Sequence, residues 1–159
     1  MVGDTFHGPL DHLRQVVESM PHWRWLEYNA GRAAWGHPQI NYGMDYAEGD
    51  YLLFQDDDDV YAPDALLNVR RAVKHLDPPR PVLFKFKAAR AGGRTFWVEQ
   101  GVVKLGWIGG HCMVVPNVKE RLGTWTDRYE GDFDFIEETL RLWEPLEPVW
   151  RQEVIVHAR

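Results

Sequence analysis

The strongest constraint on the fold of this chain is a short apolar segment that runs directly into consecutive aspartates. Residues 50–55, Asp-Tyr-Leu-Leu-Phe-Gln, have the composition of a short buried strand, and Asp56-Asp57-Asp58-Asp59 follow them. Pro63 then suits the first turn of a helix whose apolar residues recur at helical spacing. A strand, an acidic turn and a helix in this order place the carboxylates at the carboxyl end of a strand, where open α/β sheets bind their ligands.

The rest of the chain supplies further alternating elements. Apolar spacing predicts helices over residues 10–20, 38–47 and 63–76, and another that carries Phe133, Ile136, Leu140 and Trp143 on one stripe. Strands are predicted at 23–28, 50–55, 82–87, 95–103, 112–115 and 149–157. We expect a single domain over residues 1–159, with a parallel α/β sheet in the first half and a more mixed arrangement in the second.

Charge and composition exclude several classes of protein. The formal net charge of −6 leaves no basic surface for nucleic acid. No apolar run approaches the roughly 20 residues that a membrane-spanning helix needs. The N-terminus lacks the basic and apolar regions of a signal peptide, and the single cysteine, Cys112, is typical of a reducing compartment. A cytoplasmic protein without a membrane span is therefore expected.

The aspartate run, residues 56–59, favours a metal site. Adjacent carboxylates repel one another by roughly 4 kcal/mol for each pair at about 4 Å and an effective dielectric near 20. Their hard oxygen atoms suit Mg²⁺ or Mn²⁺, which can in turn hold the phosphates of a nucleotide. The alternative is a solvated acidic turn in which one aspartate assists the following helix. An EF-hand is excluded because its alternating oxygen ligands, central glycine and closing glutamate are absent.

The segment from Asn41 to Leu66 resembles the core of the family 2 glycosyltransferases of GT-A fold. In that family an Asn-x-Gly helix precedes a Gly-Asp-Tyr strand, which ends in a DxD motif followed by a proline-led helix. The resemblance implies a Rossmann-like, mostly parallel mixed sheet flanked by helices. It also implies that Asp56 lies near the nucleotide ribose, that Asp58 ligates the metal with Asp56, and that Asp59 supports them.

Other segments extend the resemblance to the donor. Asp4 matches a carboxylate that contacts the nucleotide base, and the turn Gly109-Gly110 matches a small-residue turn beside the donor sugar. An ordinary tight turn is the alternative for these glycines. His111 is predicted to contact phosphate or acceptor. His157, at the end of the last strand, is predicted to join the metal ligands, with simple packing as the equal alternative.

The segment Glu130-Gly131-Asp132 resembles the Glu-Asp motif that supplies the general base in this family. Asp132 matches the base, which removes the proton of the acceptor hydroxyl as that hydroxyl attacks the anomeric carbon. Gly131 stands where the usual glutamate is expected. The alternative role of Asp132 and of Asp134 is to stabilise the helix N-terminus. Trp107 and Trp125 flank these segments and are the candidates for an acceptor platform.

Together these features predict metal-dependent, inverting transfer of a sugar from a nucleoside-diphosphate sugar to a carbohydrate or other hydroxyl acceptor. Met1 falls where the second strand of the family ends, so the fold is expected to be N-terminally shortened. A homo-oligomer or a partner chain would then cover the sheet edges. This shortening and the altered Glu-Asp motif keep two alternatives open, which are a non-catalytic nucleotide-sugar or glycan-binding module and a cation site that serves folding only.

Overall fold

The computed structural model describes residues 1–4, 10–29, 35–96 and 100–159, although the side chain of Asp4 falls outside this description. Helices are α1 (Asp11–Glu18), α2 (His37–Tyr46), α3 (Ala65–Val73) and α4 (Gly131–Leu142). Strands are β1 (Val2–Asp4), β2 (Leu26–Tyr28), β3 (Tyr51–Leu53), β4 (Val60–Tyr61), β5 (Val82–Ala88), β6 (Arg94–Phe96), β7 (Met113–Pro116) and β8 (Val149–Ala158).

The main sheet has the strand order β3-β7-β5-β8-β4, and β6 pairs with β5 outside this order. Consecutive residues of its inner strands are buried, among them Val82-Leu83-Phe84 of β5 and Met113-Val114-Val115 of β7, each 0% exposed. Burial of successive residues means that both faces of the sheet are covered, which is why these strands are continuous apolar runs in the sequence. Each such side chain contributes about 1.5–3 kcal/mol of transfer free energy.

The mixed character of the sheet is confirmed, but antiparallel pairing reaches further than the sequence suggested. Within the described residues, β5–β8 and β1–β2 are parallel, while β3–β7, β7–β5, β5–β6 and β4–β8 are antiparallel. The β5–β6 connection shows one cause. It turns at Gly92 and Gly93, whose φ values of 68° and 74° are left-handed, and so short a connection permits only an antiparallel neighbour.

Most element boundaries follow the sequence closely, with two differences. The strand β4 was not predicted, and the strand predicted at 95–103 is observed as Arg94–Phe96. Residues 97–99 lie outside the described part, residues 100–101 form a turn, and residues 102–104 have no regular structure. Gly101 has a left-handed φ of 85°, which stops the extended backbone there. Among the residues that the structure describes, no helix has the length and apolarity required to cross a bilayer.

Candidate active site

A cleft of about 360 Å³ opens where several segments meet. Its walls come from the end of β3, the loop that leads into β7, the segment before α2 and the start of α4. The lining residues are Trp35, His37, Phe54, Gln55, Asp56, Leu105, Gly106, Ile108, Gly110, His111, Trp125, Tyr129, Glu130 and Asp132. The cleft thus brings together Asp56, His111 and Asp132, which the sequence analysis selected from three distant segments.

The aspartate run is divided by a turn. The backbone N–H of Asp59 donates to the carbonyl of Asp56 at 3.2 Å, which folds residues 56–59 back on themselves. Asp56 lines the cleft and, like Asp57 and Asp58, is exposed, whereas the side chain of Asp59 is only 4% exposed. One oxygen of Asp59, Oδ1, accepts a hydrogen bond from the backbone N–H of Arg159 at 3.0 Å.

Asp56, Asp59 and His111 form a candidate metal centre. Each offers one ligand atom, and these atoms lie within 4.8 Å of one another. Asp59 Oδ2 is 3.5 Å from His111 Nδ1 and has no hydrogen-bond partner within the described structure, and the same is true of His111 Nε2, although both atoms are buried. Buried polar atoms without partners are costly, and a divalent ion would satisfy a carboxylate and an imidazole together.

The electrostatics of this cluster fit a cation. Loss of hydration raises the pKa of Asp56, and repulsion from Asp59, Asp58, Asp57 and Asp132 raises it further. Burial lowers the pKa of His111 despite the opposing effect of Asp59 and Asp132. A positive ion among these groups would relieve the repulsion, and a neutral imidazole has the lone pair that coordination requires.

Other predicted ligands lie outside this cluster. Asp58 sits in the exposed turn beside it. His157 is exposed on β8, where it pairs with Val60 of β4 and Lys87 of β5. The roles predicted for Asp58 and His157 therefore stay predictions. Asp4 ends β1, and its predicted contact with the nucleotide base lies outside the described side chains.

The turn Gly109-Gly110 is a close-packing site. A Cβ at Gly109 would lie 2.7 Å from Cε1 of His111, and a Cβ at Gly110 would overlap the ring of Trp125. Glycine is needed at both positions because these two rings occupy the space of a side chain. Gly110 lines the cleft. The predicted approach of the donor sugar to this turn stays a prediction.

Asp132 is the second residue of α4 and lines the cleft. Its Oδ1 accepts a hydrogen bond from the backbone N–H of Phe133 at 2.7 Å. Burial raises the pKa of Asp132, and this effect is opposed first by the Phe133 N–H and then by His111, His37 and the Gly110 N–H. A carboxylate with a raised pKa is a better proton acceptor, as the predicted general base requires.

Asp134 has a different environment from Asp132. It accepts hydrogen bonds from Thr126 and forms an ion pair with Arg128, whose Nε lies 2.6 Å from Oδ2. These hydrogen bonds, first from Arg128 and then from Thr126, lower its pKa. Asp132 therefore accepts the N–H of a first-turn residue, whereas Asp134 holds the preceding segment, Thr126 and Arg128, against the helix. The helix-stabilising role that the sequence left open for both residues stays a prediction.

His37 was missed by the sequence analysis. It begins α2, is 5% exposed and lines the cleft, and its Nδ1 lies 2.7 Å from the carbonyl oxygen of Thr126. A Cβ at Gly131 would overlap the His37 ring and the same carbonyl. The imidazole therefore requires a glycine immediately before Asp132. In the sequence, His37 is marked only by the proline that follows it. Pro38 suits the first turn of a helix and says nothing about a cleft.

The exposed aromatic residues of the cleft are not the tryptophans that the sequence selected as an acceptor platform. Trp125 lines the cleft but is 6% exposed, because its ring packs against Phe54 and Phe135 at centroid distances of 5.2 and 5.0 Å. Trp107 is absent from the lining, and Lys104 Nζ stands 4.8 Å from its ring centroid. Trp35 and Tyr129, which the sequence analysis did not single out, are the exposed aromatic residues of the cleft, at 58% and 69%.

Comparisons with known proteins identify the family and the fold of the chain. The family profile for glycosyl transferase family 2 matches residues 11–130. A crystal structure of S. aureus TarS residues 1–349 matches with a TM-score of 0.72 and 14% identity, covering 99% of this chain and 49% of that one. The same segment in complex with UDP-GlcNAc matches with a TM-score of 0.70 and 16% identity, covering 99% and 48%.

A longer TarS structure matches with a TM-score of 0.71 and 14% identity, and there the chain covers 30% of the other molecule. The chain thus spans between 30% and 49% of the lengths of these solved structures. No sequence among the curated proteins matches. The structural likeness confirms the α/β fold of GT-A type that the segment from Asn41 to Leu66 predicted.

Proposed function

Because this chain belongs to glycosyl transferase family 2, we propose that it transfers a sugar from a nucleoside-diphosphate sugar to an acceptor hydroxyl. We further propose that the reaction requires a divalent metal ion and inverts the anomeric carbon. The observation that carries the proposal is the meeting of a candidate base, Asp132, with a candidate metal centre, Asp56, Asp59 and His111, at one cleft. A TarS structure solved with UDP-GlcNAc makes that donor the first to test.

The charge of the cleft supports a metal requirement. Its described lining includes the carboxylates Asp56, Glu130 and Asp132 and contains no lysine or arginine. A diphosphate placed against this wall would be repelled. Mn²⁺ or Mg²⁺ on the cluster would neutralise charge on the leaving diphosphate. The mixed carboxylate and imidazole ligands favour Mn²⁺, because Mg²⁺ prefers oxygen ligands alone.

Asp132 supplies the base chemistry. Its carboxylate faces the cleft from the start of α4, and burial raises its pKa above that of an exposed aspartate. The acceptor hydroxyl would donate its proton to this carboxylate as its oxygen forms the new bond to the anomeric carbon. The bond to the diphosphate breaks in the same step, on the opposite face of the sugar ring, so the anomeric configuration inverts.

In this scheme, neighbouring residues hold the side chains of Asp59 and His111 next to each other. The hydrogen bond from Arg159 N–H fixes one oxygen of Asp59, so the other points at the imidazole. Gly109 leaves room for that imidazole, and a side chain there would displace it. The chain's own packing therefore holds a carboxylate and an imidazole in position before any ion arrives, which lowers the ordering cost of binding. Asp58 and His157 remain further ligands to be tested.

The test measures nucleoside-diphosphate release from UDP-GlcNAc and a panel of other nucleotide sugars with Mn²⁺. We expect the Asp132→Asn variant to lose about 10²–10⁴-fold in rate, the usual contribution of a general base. The matched control is Asp134→Asn, two residues away on the same helix, which should keep most of the rate. Equal losses in both variants would contradict the assignment, and donor binding without release by the wild type would favour the non-catalytic binding module.

A further inference from the structure

The mouth of the cleft carries an exposed aromatic corner formed by Trp35 and Tyr129. Their ring centroids are 5.7 Å apart and the rings are nearly perpendicular, at 76°. Trp35 lies just before α2 and Tyr129 just before α4, so two separate segments converge to form the corner. Tyr129 stands three positions before Asp132 in the chain, and both residues line the cleft, so the corner and the candidate base share one site.

The Trp35 side of the corner lies next to the ring of His37, which is itself held in place. The Trp35 ring lies 6.3 Å from that of His37, whose Nδ1 is bonded to the Thr126 carbonyl. Trp35 also adopts a left-handed backbone conformation, with φ of 52°. Non-glycine residues avoid this region because it is strained, and such strain tends to persist where a side chain must be held in a required direction. Two large aromatic rings exposed side by side at a cleft mouth form an apolar surface that a ligand can cover.

Aromatic faces and edges of this kind suit the C–H faces of a sugar ring, which are apolar while the hydroxyl groups at the ring edge are polar. The charges nearby narrow the choice of sugar. Glu130, Asp132 and Asp56 line the same cleft, and its described lining contains no lysine or arginine. Arg128, the cation nearest to Tyr129 in the chain, is paired with Asp134. A carboxylate or phosphate on the acceptor would therefore meet repulsion that no lysine or arginine of the described lining offsets.

From these features we propose that Trp35 and Tyr129 bind the acceptor and select an uncharged carbohydrate over an anionic one. This inference rests on the proposed transferase function, because it assigns the acceptor side of the same cleft. It also replaces Trp107 and Trp125 as the acceptor platform: Trp125 forms the buried wall, and Trp107 is absent from the lining.

The test compares two probes that differ by one charge. Methyl β-glucoside and methyl β-glucuronide have the same ring, and the second carries a carboxylate. We expect the neutral glycoside, or its galactoside or N-acetylglucosaminide counterpart, to bind in calorimetry with UDP and Mn²⁺ present, and the glucuronide to bind at least about tenfold more weakly. Equal or tighter binding of the glucuronide, or no binding of any of the three neutral glycosides, would overturn the inference.

The aromatic corner is tested by two variants, Trp35→Ala and Tyr129→Ala. Each should weaken binding of the neutral glycoside by about tenfold. The Trp35→Phe variant, which keeps an aromatic ring, should retain most of the wild-type affinity. The matched control is Trp23→Ala, because Trp23 is 55% exposed and lies outside the cleft lining. An equal effect of Trp23→Ala and Trp35→Ala would contradict the assignment. Since binding needs no turnover, loss of the proposed transferase activity and loss of this binding site are separate outcomes.

Discussion

The two acidic segments of the cleft contain similar residues, but the backbone sorts their carboxylates in different ways. In the aspartate run, residues 56–59, a turn brings the first and last side chains towards His111, and the middle two lie outside this cluster. At the start of α4, Asp132 faces the cleft, while Asp134, about 200° further around the helix, pairs with Arg128. Backbone geometry, and not local acidity, decides which of these carboxylates line the cleft.

Substitutions in the aspartate run should have the largest effect, which is a loss of Mn²⁺ affinity. In Mn²⁺ titrations followed by electron paramagnetic resonance, Asp59→Asn should weaken binding by about 10–100-fold, as losses of metal-supporting groups do. Asp57→Asn is the matched control, because Asp57 is exposed in the same turn, and its affinity should be unchanged. Asp58→Asn belongs in the same series: a loss equal to that of Asp59→Asn would add Asp58 to the ligands, as the family resemblance predicts.

His111→Ala should reproduce the loss seen with Asp59→Asn, since its imidazole shares the cluster. Full Mn²⁺ affinity in both of these variants would show that the cluster is not the metal site.

Filling the space at Gly131 should have the next largest effect. Gly131→Ala places a methyl group against the His37 ring and the Thr126 carbonyl, so we expect a loss of about 1–3 kcal/mol in the free energy of unfolding, the usual cost of overpacking. Chemical denaturation measures this. Gly43→Ala is the control, because its added methyl approaches one side-chain atom, Cγ2 of Val2 at 3.0 Å, and no backbone atom within 4 Å. If Gly131→Ala were as stable as Gly43→Ala, His37 would not be held as described.

The smallest effect concerns pH and has opposite signs at Asp132 and Asp134. A raised folded-state pKa means that ionisation of Asp132 destabilises the fold, so Asp132→Asn should be more stable than wild type at pH 7 without metal. A lowered pKa means that ionised Asp134 stabilises the fold, so Asp134→Asn should be less stable there.

Both differences should shrink between pH 7 and an acidic pH at which both carboxyl groups are protonated. The difference for Asp132→Asn should shrink first, as the pH falls through the raised pKa of Asp132, and that for Asp134→Asn only at lower pH, as the pH falls through the lowered pKa of Asp134. Denaturation curves at the two pH values measure them, and shifts of the same sign in both variants would contradict the described environments.

The fold was largely accessible from the sequence because its signals are local. The apolar runs of β5 and β7 and the helical spacing of α3 and α4 come from burial that the sequence pattern records directly. The strand directions were less accessible. They depend on connections such as the glycine turn between β5 and β6, whose geometry a composition-based pattern does not specify.

The candidate site was predicted in part. Asp56, Asp132 and His111 were found because the first two stand in recognisable motifs and the third follows a glycine turn. Asp59 was assigned only a supporting role, since its approach to His111 depends on a turn that folds the aspartate run. His37 and the Trp35–Tyr129 corner were missed because their roles arise from long-range contacts between the starts of α2 and α4.

Our central proposal is that the acidic cleft, whose described lining contains no lysine or arginine, holds a nucleotide diphosphate only through a divalent ion. Calorimetric titration of UDP with Mn²⁺ or with EDTA tests it directly. We predict that removing the metal weakens UDP binding by at least about a hundredfold, or about 2.7 kcal/mol. We also predict that Asp56→Asn abolishes this metal dependence. Equal UDP affinity in Mn²⁺ and in EDTA would contradict the account.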